Sequence, residues 1–272
     1  MSFENAIGIF DSGLGGLSAV KELINILPNE KIIYFGDTGR VPYGNRSGDT
    51  IKRYALQDAR FLLSHNVKMI IAACGTVSSV AGELLKTNLS VPYTGVVKPT
   101  AFTACSKTKN GKIGIIGTSA TINSHSYRLE LKRLNPSIEV FEMPCPLFVP
   151  LVENGFIRRD DQIVRLTIKR YLASLKEQGV DTLILGCTHY PLLKEAISDY
   201  MGEKVALVDS GYETALYSAK LLRENNLLNT DKTKKEPEFF VSDTPDDFEN
   251  VAVLFLGRNV EHTVNRIDIE QY

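Results

Sequence analysis

Residues 7–17 read IGIFDSGLGGL. The apolar run from Ile7 to Phe10 is typical of a buried strand, and the polar, glycine-rich turn after it leads into a helical stripe beginning at Leu14. A strand that runs through a small polar turn into a helix is the repeating unit of parallel α/β sheets. This stretch therefore predicts an α/β fold.

The same unit recurs in the second half, where residues 113–122 read IGIIGTSATI. Eight strands are predicted in two sets of four, with nearly constant spacing between the sets and helical stripes between the strands. The first set is Ile7–Phe10, Ile32–Phe35, Met69–Ala73 and Tyr93–Val97, and the second is Ile113–Ile116, Ile138–Glu142, Leu183–Gly186 and Val205–Val208. We therefore expect two similar parallel-sheet α/β domains related by a pseudo-two-fold axis, with the active site in the cleft between them.

The C-terminal residues form a tail with elements of its own. It contains a helical stretch after Gly211, a charged linker, a short strand near Phe239–Val241 and a closing helix around Asp246–Leu256. We expect the tail to pack on the first half and make that domain discontinuous. The predicted domains are thus residues 1–97 plus 208–272, and residues 98–207.

Composition excludes several classes of protein. The 272 residues are 43% apolar and 23% charged, which is ordinary for a globular chain, and the formal charge of −1 disfavours nucleic-acid binding. No apolar run approaches the roughly 20 residues of a membrane span, and the N-terminus has no basic cluster typical of a secretory signal. The four cysteines are widely spaced, which disfavours a disulfide scaffold or a zinc site. We expect a cytoplasmic protein with no nucleic-acid or membrane partner.

Four predicted strands end in small polar residues. In open parallel sheets, ligands bind beyond the carboxyl ends of the strands, and free N–H groups at such ends favour carboxylates and phosphates. The loop from Val41 to Gly44 adds a rigid turn and an aromatic hydroxyl. The glycines of residues 11–16 lack the spacing of a nucleotide phosphate loop, so nucleotide binding is disfavoured. The four strand ends are Asp11-Ser12-Gly13, Cys74-Gly75-Thr76, Gly117-Thr118-Ser119 and Cys187-Thr188-His189.

Cys74 and Cys187 occupy equivalent positions in the two halves. Each is expected to follow a buried strand and open a helix, a position that lowers a thiol pKa from about 8.5 toward 7. The alternative is that each is a small buried packing residue, as free cysteines often are. Cys105 and Cys145 have no such counterparts, and we interpret them as packing residues.

Two thiols facing one ligand from opposite sides suit the inversion of a stereocentre. One sulfur would remove a proton from one face of a carbon and the other would deliver a proton to the opposite face, without a metal or cofactor. Asp11 and His189 are the candidate supports, one beside each thiol, and Glu153 could pair with His189. The alternative for both supports is helix capping. The other histidines are interpreted as structural or exposed: His65, His125 and His262.

The motifs together resemble those of the glutamate racemases, within the cofactor-independent aspartate/glutamate racemase superfamily, over essentially the whole chain. The stretch from Leu183 to Pro191 is highly specific to that family, whereas the glycine-rich turn alone is not. The motifs that carry the resemblance are Phe10–Gly16, Gly36–Thr38, Val41–Gly44, Gly117–Thr121, Pro150–Glu153, Leu185–Pro191 and Val208–Gly211.

The resemblance implies interconversion of L- and D-glutamate, with D-glutamate supplied for peptidoglycan, and a homodimer. It implies that Cys74 acts on the α-proton of the D-enantiomer with help from Asp11. Cys187 would act on the L-enantiomer, assisted by Glu153 and His189. The residues implied to hold the carboxylates and ammonium of the substrate, besides Asp11 and His189, are Ser12, Pro42, Tyr43, Gly44, Gly75, Thr76, Thr118, Thr121 and Thr188.

One position departs from the family pattern. The usual residue after the first cysteine is Asn, which contacts substituents of the substrate's α-carbon, and here it is Gly75. Losing a hydrogen bond to a charged group costs about 1.5–3 kcal/mol. The alternatives are therefore a racemase of aspartate or another amino acid, or a weakly active amino-acid-binding relative. A hydrolase using Cys187 and His189 is a further alternative, and it would need only one thiol.

Overall fold

The computed structural model describes residues 2–260 and 264–272. In these residues the strands form two sheets, and every strand pair is parallel. The strands are β1 (Ile7–Asp11), β2 (Ile32–Gly36), β3 (Met69–Ala72), β4 (Tyr93–Gly95), β5 (Lys112–Gly117), β6 (Glu139–Pro144), β7 (Thr182–Leu185), β8 (Ala206–Asp209), β9 (Glu238–Val241) and β10 (Val264–Arg266).

The two sheets repeat one strand order. The first sheet runs β10-β9-β2-β1-β3-β4 and the second runs β6-β5-β7-β8. The order β2-β1-β3-β4 in the first matches β6-β5-β7-β8 in the second, strand for strand along the chain. This confirms the predicted fold class of two similar parallel-sheet α/β units. It also puts β3 and β7, which precede Cys74 and Cys187, at equivalent places.

Helices cover the sheets. Within the described ranges, none of them is both long enough and apolar enough to cross a membrane. The helices are α1 (Leu17–Ile26), α2 (Gly48–Ser64), α3 (Gly75–Val80), α4 (Gly82–Asn88), α5 (Val97–Lys107), α6 (Ser119–Asn123), α7 (Ser126–Leu134), α8 (Phe148–Glu153), α9 (Gln162–Glu177), α10 (Lys194–Met201), α11 (Ser210–Glu224) and α12 (Pro245–Leu256).

Local sequence explains where these elements begin and what they bury. All five residues of β1 are buried because helices cover both faces of a parallel sheet. Helix α2 buries the stripe predicted from its period, which includes Ile51, Ala55 and Leu62. It begins after Ser47, whose side chain accepts a hydrogen bond from the Thr50 backbone N–H. Period and capping thus act together to fix the helix.

The predicted strand Tyr93–Val97 is too long. Strand β4 ends at Gly95, Val96 already has right-handed helical dihedrals, and α5 begins at Val97. The Val96 N–H donates to the Ser78 hydroxyl at 3.1 Å instead of to a neighbouring strand. This side-chain contact ends the ladder, and apolar periodicity does not show it.

The tail extends the first sheet, because β9 pairs with β2 and β10 pairs with β9. Helices α11 and α12 pack against α1. Strand β8, however, pairs with β7 in the second sheet through Asp209, so the predicted boundary between residues 207 and 208 falls inside a strand. The division of the chain into two domains stays a prediction. Its second domain must extend to Asp209 if it is to contain all of β8.

Candidate active site

A cavity of about 270 Å³ lies where the carboxyl ends of the two sheets meet. Its volume suits a small metabolite, since drug-sized ligands occupy about 300–1,000 Å³. Most residues predicted for the site border it, whereas Asp11 and Thr121 do not. The predicted residues that border it are Ser12, Pro42, Tyr43, Gly44, Cys74, Gly75, Thr76, Thr118, Glu153, Cys187, Thr188 and His189.

Cys74 lies two residues after the end of β3 and is the N-cap residue of α3. Its Sγ accepts from the Val77 backbone N–H at 3.5 Å and lies 3.3 Å from the Ser12 hydroxyl. Burial, followed by the charge of Asp11, raises the pKa of Cys74 to about 12. The predicted lowering of this pKa is therefore wrong, because burial outweighs the helix N-terminus. Cys74 is held here as a neutral thiol.

Asp11 lies behind the cavity wall, with 1% of its surface exposed. Its Oδ2 accepts from the Gly13 backbone N–H at 3.1 Å, and its Oδ1 has no hydrogen-bond partner among the described residues. The residue that precedes α1 is Gly16, so the helix-capping alternative for Asp11 is wrong. Burial raises the pKa of Asp11, and the nearby charge of His189 partly offsets this.

Cys187 belongs to a chain of three side chains. Its Sγ lies 3.8 Å from His189 Nδ1, and His189 Nε2 lies 3.0 Å from Glu153 Oε1. Burial alone would lower the pKa of His189, but the contacts with Cys187 and Glu153 raise it to about 10. The imidazole is therefore protonated at neutral pH, and a cation beside a sulfur stabilises negative charge on it.

The second thiol does not open an α-helix as predicted. A 3-10 turn begins at Tyr190, and α10 begins only at Lys194. Pro191 stands early in that turn, where the missing N–H of proline removes one backbone donor. His189 directly precedes the turn and makes no side-chain cap to it, so the capping alternative is wrong for His189 too.

Threonine hydroxyls bridge the two halves at the floor of the cavity. Thr76 Oγ1, which follows the first thiol, lies 3.0 Å from Thr118 Oγ1 at the end of β5. Thr118 Oγ1 lies 3.0 Å from Thr121 Oγ1 and caps α6 by accepting from the Thr121 N–H. Thr121 thus supports Thr118 from behind the wall, which is why it does not border the cavity.

The loop after β1 packs against the second thiol's strand end. An ideal Cβ at Gly15 would lie 2.2 Å from Thr188 Oγ1 and 2.4 Å from His189 Nδ1. A side chain at residue 15 would thus overlap both groups, so glycine is required for this approach. The histidine beside Cys187 is therefore held by the first half of the chain as well as by Glu153.

The loop from Val41 to Asn45 borders the cavity, but the hydroxyl of Tyr43 is engaged elsewhere. It donates to the buried carboxylate of Asp37 and lies 3.3 Å from Asp58 Oδ2. Arg40 bonds to both carboxylates, at 2.6 and 3.0 Å. Burial and the charge of Asp37 raise the pKa of Asp58. Tyr43 anchors the loop through its hydroxyl, so this hydroxyl is not the polar group that the loop offers to a ligand.

The remaining cysteines and histidines that the structure describes do not border the cavity. Cys145 is fully buried in the main core cluster, and Cys105 is half-buried. The ring of His65 lies tilted against that of Phe61, and His125 pairs with Glu142 at the surface. His262 lies outside the described residues. Across residues 2–260 and 264–272, no group of three or more His, Cys, Asp or Glu side chains is arranged to hold a metal ion.

Sequence reasoning missed two contacts with the site. The ring of Phe255 in α12 meets His189 edge to face, with centroids 5.4 Å apart. The backbone of Gly186 borders the cavity just before Cys187. The tail was predicted to pack on the first half, which points to the general position of Phe255, but no pattern predicts its contact with one histidine. Gly186 belongs to the motif Leu185–Pro191, but its residue type alone predicts no role in the site.

These groups can move a proton across a substrate carbon. Two sulfurs border one small cavity from equivalent ends of two sheets, one held as a thiol and the other next to an imidazolium. Hydroxyls and backbone N–H groups around them are suited to carboxylates and an ammonium. The fold and the site therefore define an isomerase that exchanges a proton between the two faces of a carbon.

The chain belongs to the Asp/Glu/hydantoin racemase family, whose model matches residues 23–215. It is 50% identical over 252 residues to the glutamate racemase of Geobacter metallireducens, covering 93% of both chains. It is 45% identical to that of Chlorobaculum tepidum, covering 94% of both. Its fold matches the crystal structure of the Francisella tularensis glutamate racemase in complex with D-glutamate, with a TM-score of 0.91, 40% identity and coverage of 99% of this chain and 100% of the other.

Proposed function

We propose that this protein interconverts L- and D-glutamate, with Cys74 and Cys187 as the two acid/base groups. The observation that carries the proposal is that two thiols at equivalent strand ends of two matching sheets border one cavity. The similarity to glutamate racemases over more than nine tenths of the chain supports glutamate as the substrate.

The site is suited to the L-to-D direction, because Cys74 holds a proton and the His189 imidazolium lies beside Cys187. The thiolate of Cys187, next to the His189 imidazolium, takes the α-proton of L-glutamate and becomes a thiol, leaving a carbanion. Cys74 then delivers its S–H proton to the opposite face of that carbon and becomes a thiolate. The product is D-glutamate, and the two sulfurs have exchanged roles. D-glutamate would return through the same steps in reverse, with Asp11 beside the acting Cys74.

The carbanion and the charged groups of the substrate must be stabilised by residues that line the cavity. We assign the carboxylates and ammonium to the hydroxyls and backbone groups at the strand ends and to the 41–45 loop, since preorganised donors in a buried site stabilise developing charge without reorganisation. These groups are Ser12, Pro42, Tyr43, Gly44, Gly75, Thr76, Thr118 and Thr188, with Thr121 acting through Thr118.

The proposal extends to the biological setting on the strength of the family resemblance alone. The D-glutamate would be supplied for peptidoglycan in the cytoplasm, and the protein would act as a homodimer. The reaction assigned to the two thiols needs no cofactor, because each proton that is taken up or delivered resides on a sulfur.

The test is α-proton exchange in heavy water. Wild type given L-glutamate should form D-glutamate carrying deuterium at the α-carbon, and Cys74→Ser and Cys187→Ser should each lose racemisation almost completely. Exchange with aspartate but none with glutamate would overturn the substrate assignment. Full racemisation by Cys74→Ser would overturn the two-thiol assignment. A hydrolytic activity of the wild type that Cys74→Ser leaves unchanged, without racemisation, would instead support a hydrolase based on Cys187 and His189. Binding of D-glutamate without racemisation would support a binding protein.

A further inference from the structure

Gly75 and Gly186 touch across the cavity in a way that leaves no room for a side chain. An ideal Cβ at Gly75 would lie 2.2 Å from the Gly186 carbonyl oxygen, 3.3 Å from its carbonyl carbon and 3.7 Å from Thr121 Oγ1. The nearest atom belongs to the backbone, so no side-chain rotation could relieve the overlap. Gly75 has no positive φ, so the need for glycine here comes from space and not from backbone conformation.

Gly186 cannot move aside within its own half. Its N–H donates to the Ile116 carbonyl at 2.8 Å, and an ideal Cβ on Gly186 would itself lie 2.7 Å from that oxygen. It therefore stays seated against β5. A side chain at residue 75 could be accommodated only if the end of β7 and the start of α3 moved apart as rigid bodies.

The contact joins the neighbours of the two sulfurs. Gly75 immediately follows Cys74, and Gly186 immediately precedes Cys187. The hydroxyl contact between Thr76 and Thr118, at 3.0 Å, lies beside it and also crosses between the halves. Moving Gly75 away from Gly186 would therefore lengthen the contact between Thr76 and Thr118 and increase the distance between the two thiols.

We propose that Gly75 is a positioning residue that sets the separation of the two thiols, because its missing side chain lets the Gly186 carbonyl rest on the first turn of α3. The proposal rests on the two-thiol function above and adds a residue that touches neither proton. It gives this chain's departure from the family pattern a structural consequence: the two strand ends approach more closely than any residue with a Cβ permits.

The expected size of the effect follows from geometry. Real Cβ contacts are essentially never shorter than 3.0 Å, so an alanine at this position must displace one strand end by roughly 1 Å. A misplacement of that size can lower turnover about 100-fold when a reacting group must reach its target atom. The substrate-binding groups of each half move with their own half, so we expect the larger change in kcat and a smaller one in KM.

The experiment compares Gly75→Ala and Gly75→Ser with Gly82→Ala. Gly82 is also the first residue of a helix, α4, but an ideal Cβ there meets only Tyr93 Oη, at the ordinary distance of 3.9 Å. Each protein is given L-glutamate in heavy water, and two products are counted: deuterated D-glutamate and deuterium in recovered L-glutamate. Thermal midpoints are measured in parallel.

Both residue-75 variants should fold, with kcat reduced about 100-fold. They should also incorporate more deuterium into recovered L-glutamate for each D-glutamate formed. A carbanion that waits longer for a distant second thiol more often takes a proton back from the first, after that S–H has exchanged with solvent deuterium. Gly82→Ala should match wild type in both readouts. A residue-75 variant with wild-type kcat and product ratio would overturn the proposal. So would failure of both variants to fold, because separation of the halves should relieve the overlap.

The two proposals fail in distinguishable ways. If wild type neither racemises glutamate nor exchanges its α-proton, the two-thiol function fails. If wild type racemises through both thiols while Gly75→Ala keeps its rate and product ratio, only the spacing role of Gly75 fails. A reduced rate with an unchanged product ratio would also contradict the spacing role, since a general loss of structure lowers the rate without favouring return to the first thiol.

Discussion

The strand ends that carry Cys74 and Cys187 share a backbone plan and differ in charge. Cys74 is buried near the carboxylate of Asp11, which together with burial raises the thiol's pKa to about 12. Cys187 lies 3.8 Å from an imidazole whose own pKa is raised to about 10. One side of the cavity thus holds a neutral proton donor while the other stabilises a negative sulfur. The repeated fold supplies two equivalent positions for the thiols. In the proposed L-to-D reaction, the residues around them suit Cys74 to deliver a proton and Cys187 to accept one.

Replacing the imidazole should give the largest loss on the Cys187 side. His189→Asn removes the cation beside the sulfur and the bond to Glu153, and we expect kcat/KM to fall by about 10²–10³, within the range for general acid–base groups. Since L- and D-glutamate have equal free energies, kcat/KM must fall equally in both directions. The α-deuterium isotope effect is the directional readout: it should rise more for L-glutamate. A larger rise for D-glutamate would contradict the assignment of Cys187 to the L-enantiomer.

Replacing the carboxylate on the other side should have the reverse directional signature. Asp11→Asn keeps an oxygen for the Gly13 N–H but removes the charge, and we expect kcat/KM to fall about 10²-fold, with the isotope effect rising more for D-glutamate.

The chain supplies a matched control for this change. Asp209 ends β8 in the same Asp-Ser-Gly sequence, and its Oδ1 accepts from the Gly211 N–H at 2.9 Å, away from the cavity. Asp209→Asn should therefore leave both isotope effects unchanged. Equal losses in the two variants would mean that Asp11 acts only as a turn residue.

Replacing Glu153 should have the smallest effect and shift the pH profile. The raised pKa of His189 means that its charge is present at neutral pH and is lost as pH rises through about 10, so activity in the L-to-D direction should decline there. Glu153→Gln removes one cause of that raised pKa, and the decline should move to lower pH, with roughly tenfold lower kcat at neutral pH.

A second His–Glu pair provides the control for that prediction. His125 Nδ1 lies 3.1 Å from Glu142 Oε2 at the surface, outside the cavity. Glu142→Gln should leave the pH profile of activity in place. An alkaline limb that Glu153→Gln does not move, or that Glu142→Gln moves equally, would break the link between Glu153 and His189.

The fold was largely predictable because buried parallel strands are continuous apolar runs, and the repeated order follows from their spacing. The end of β4 could not be predicted from the sequence, since Val96 and Val97 are as compatible with a strand as with a helix. The Ser78 hydroxyl, which takes the Val96 N–H, decides between them. The predicted boundary after residue 207 falls inside β8 for a similar reason, because the pairing of β8 with β7 as far as Asp209 depends on residues distant in the sequence.

The site was predictable as a set of residue types at strand ends, and less so as chemistry. A helix N-terminus argues for a lowered thiol pKa at Cys74, but the burial and the Asp11 charge that reverse it depend on the folded structure. The Tyr43 hydroxyl was expected to face a ligand, yet it is bound by Asp37 and Asp58. No local pattern shows the Phe255 ring on His189, because α12 comes late in the chain.

The protonation state of His189 measures the charge difference between the two halves most directly. Titration of histidine-labelled protein, followed by ¹⁵N NMR, should show both ring nitrogens of His189 protonated at neutral pH, with the charge lost only as pH rises through about 10. The His189→Asn variant identifies the signal. A neutral His189 imidazole at pH 7 would contradict the account of two thiols in oppositely charged surroundings.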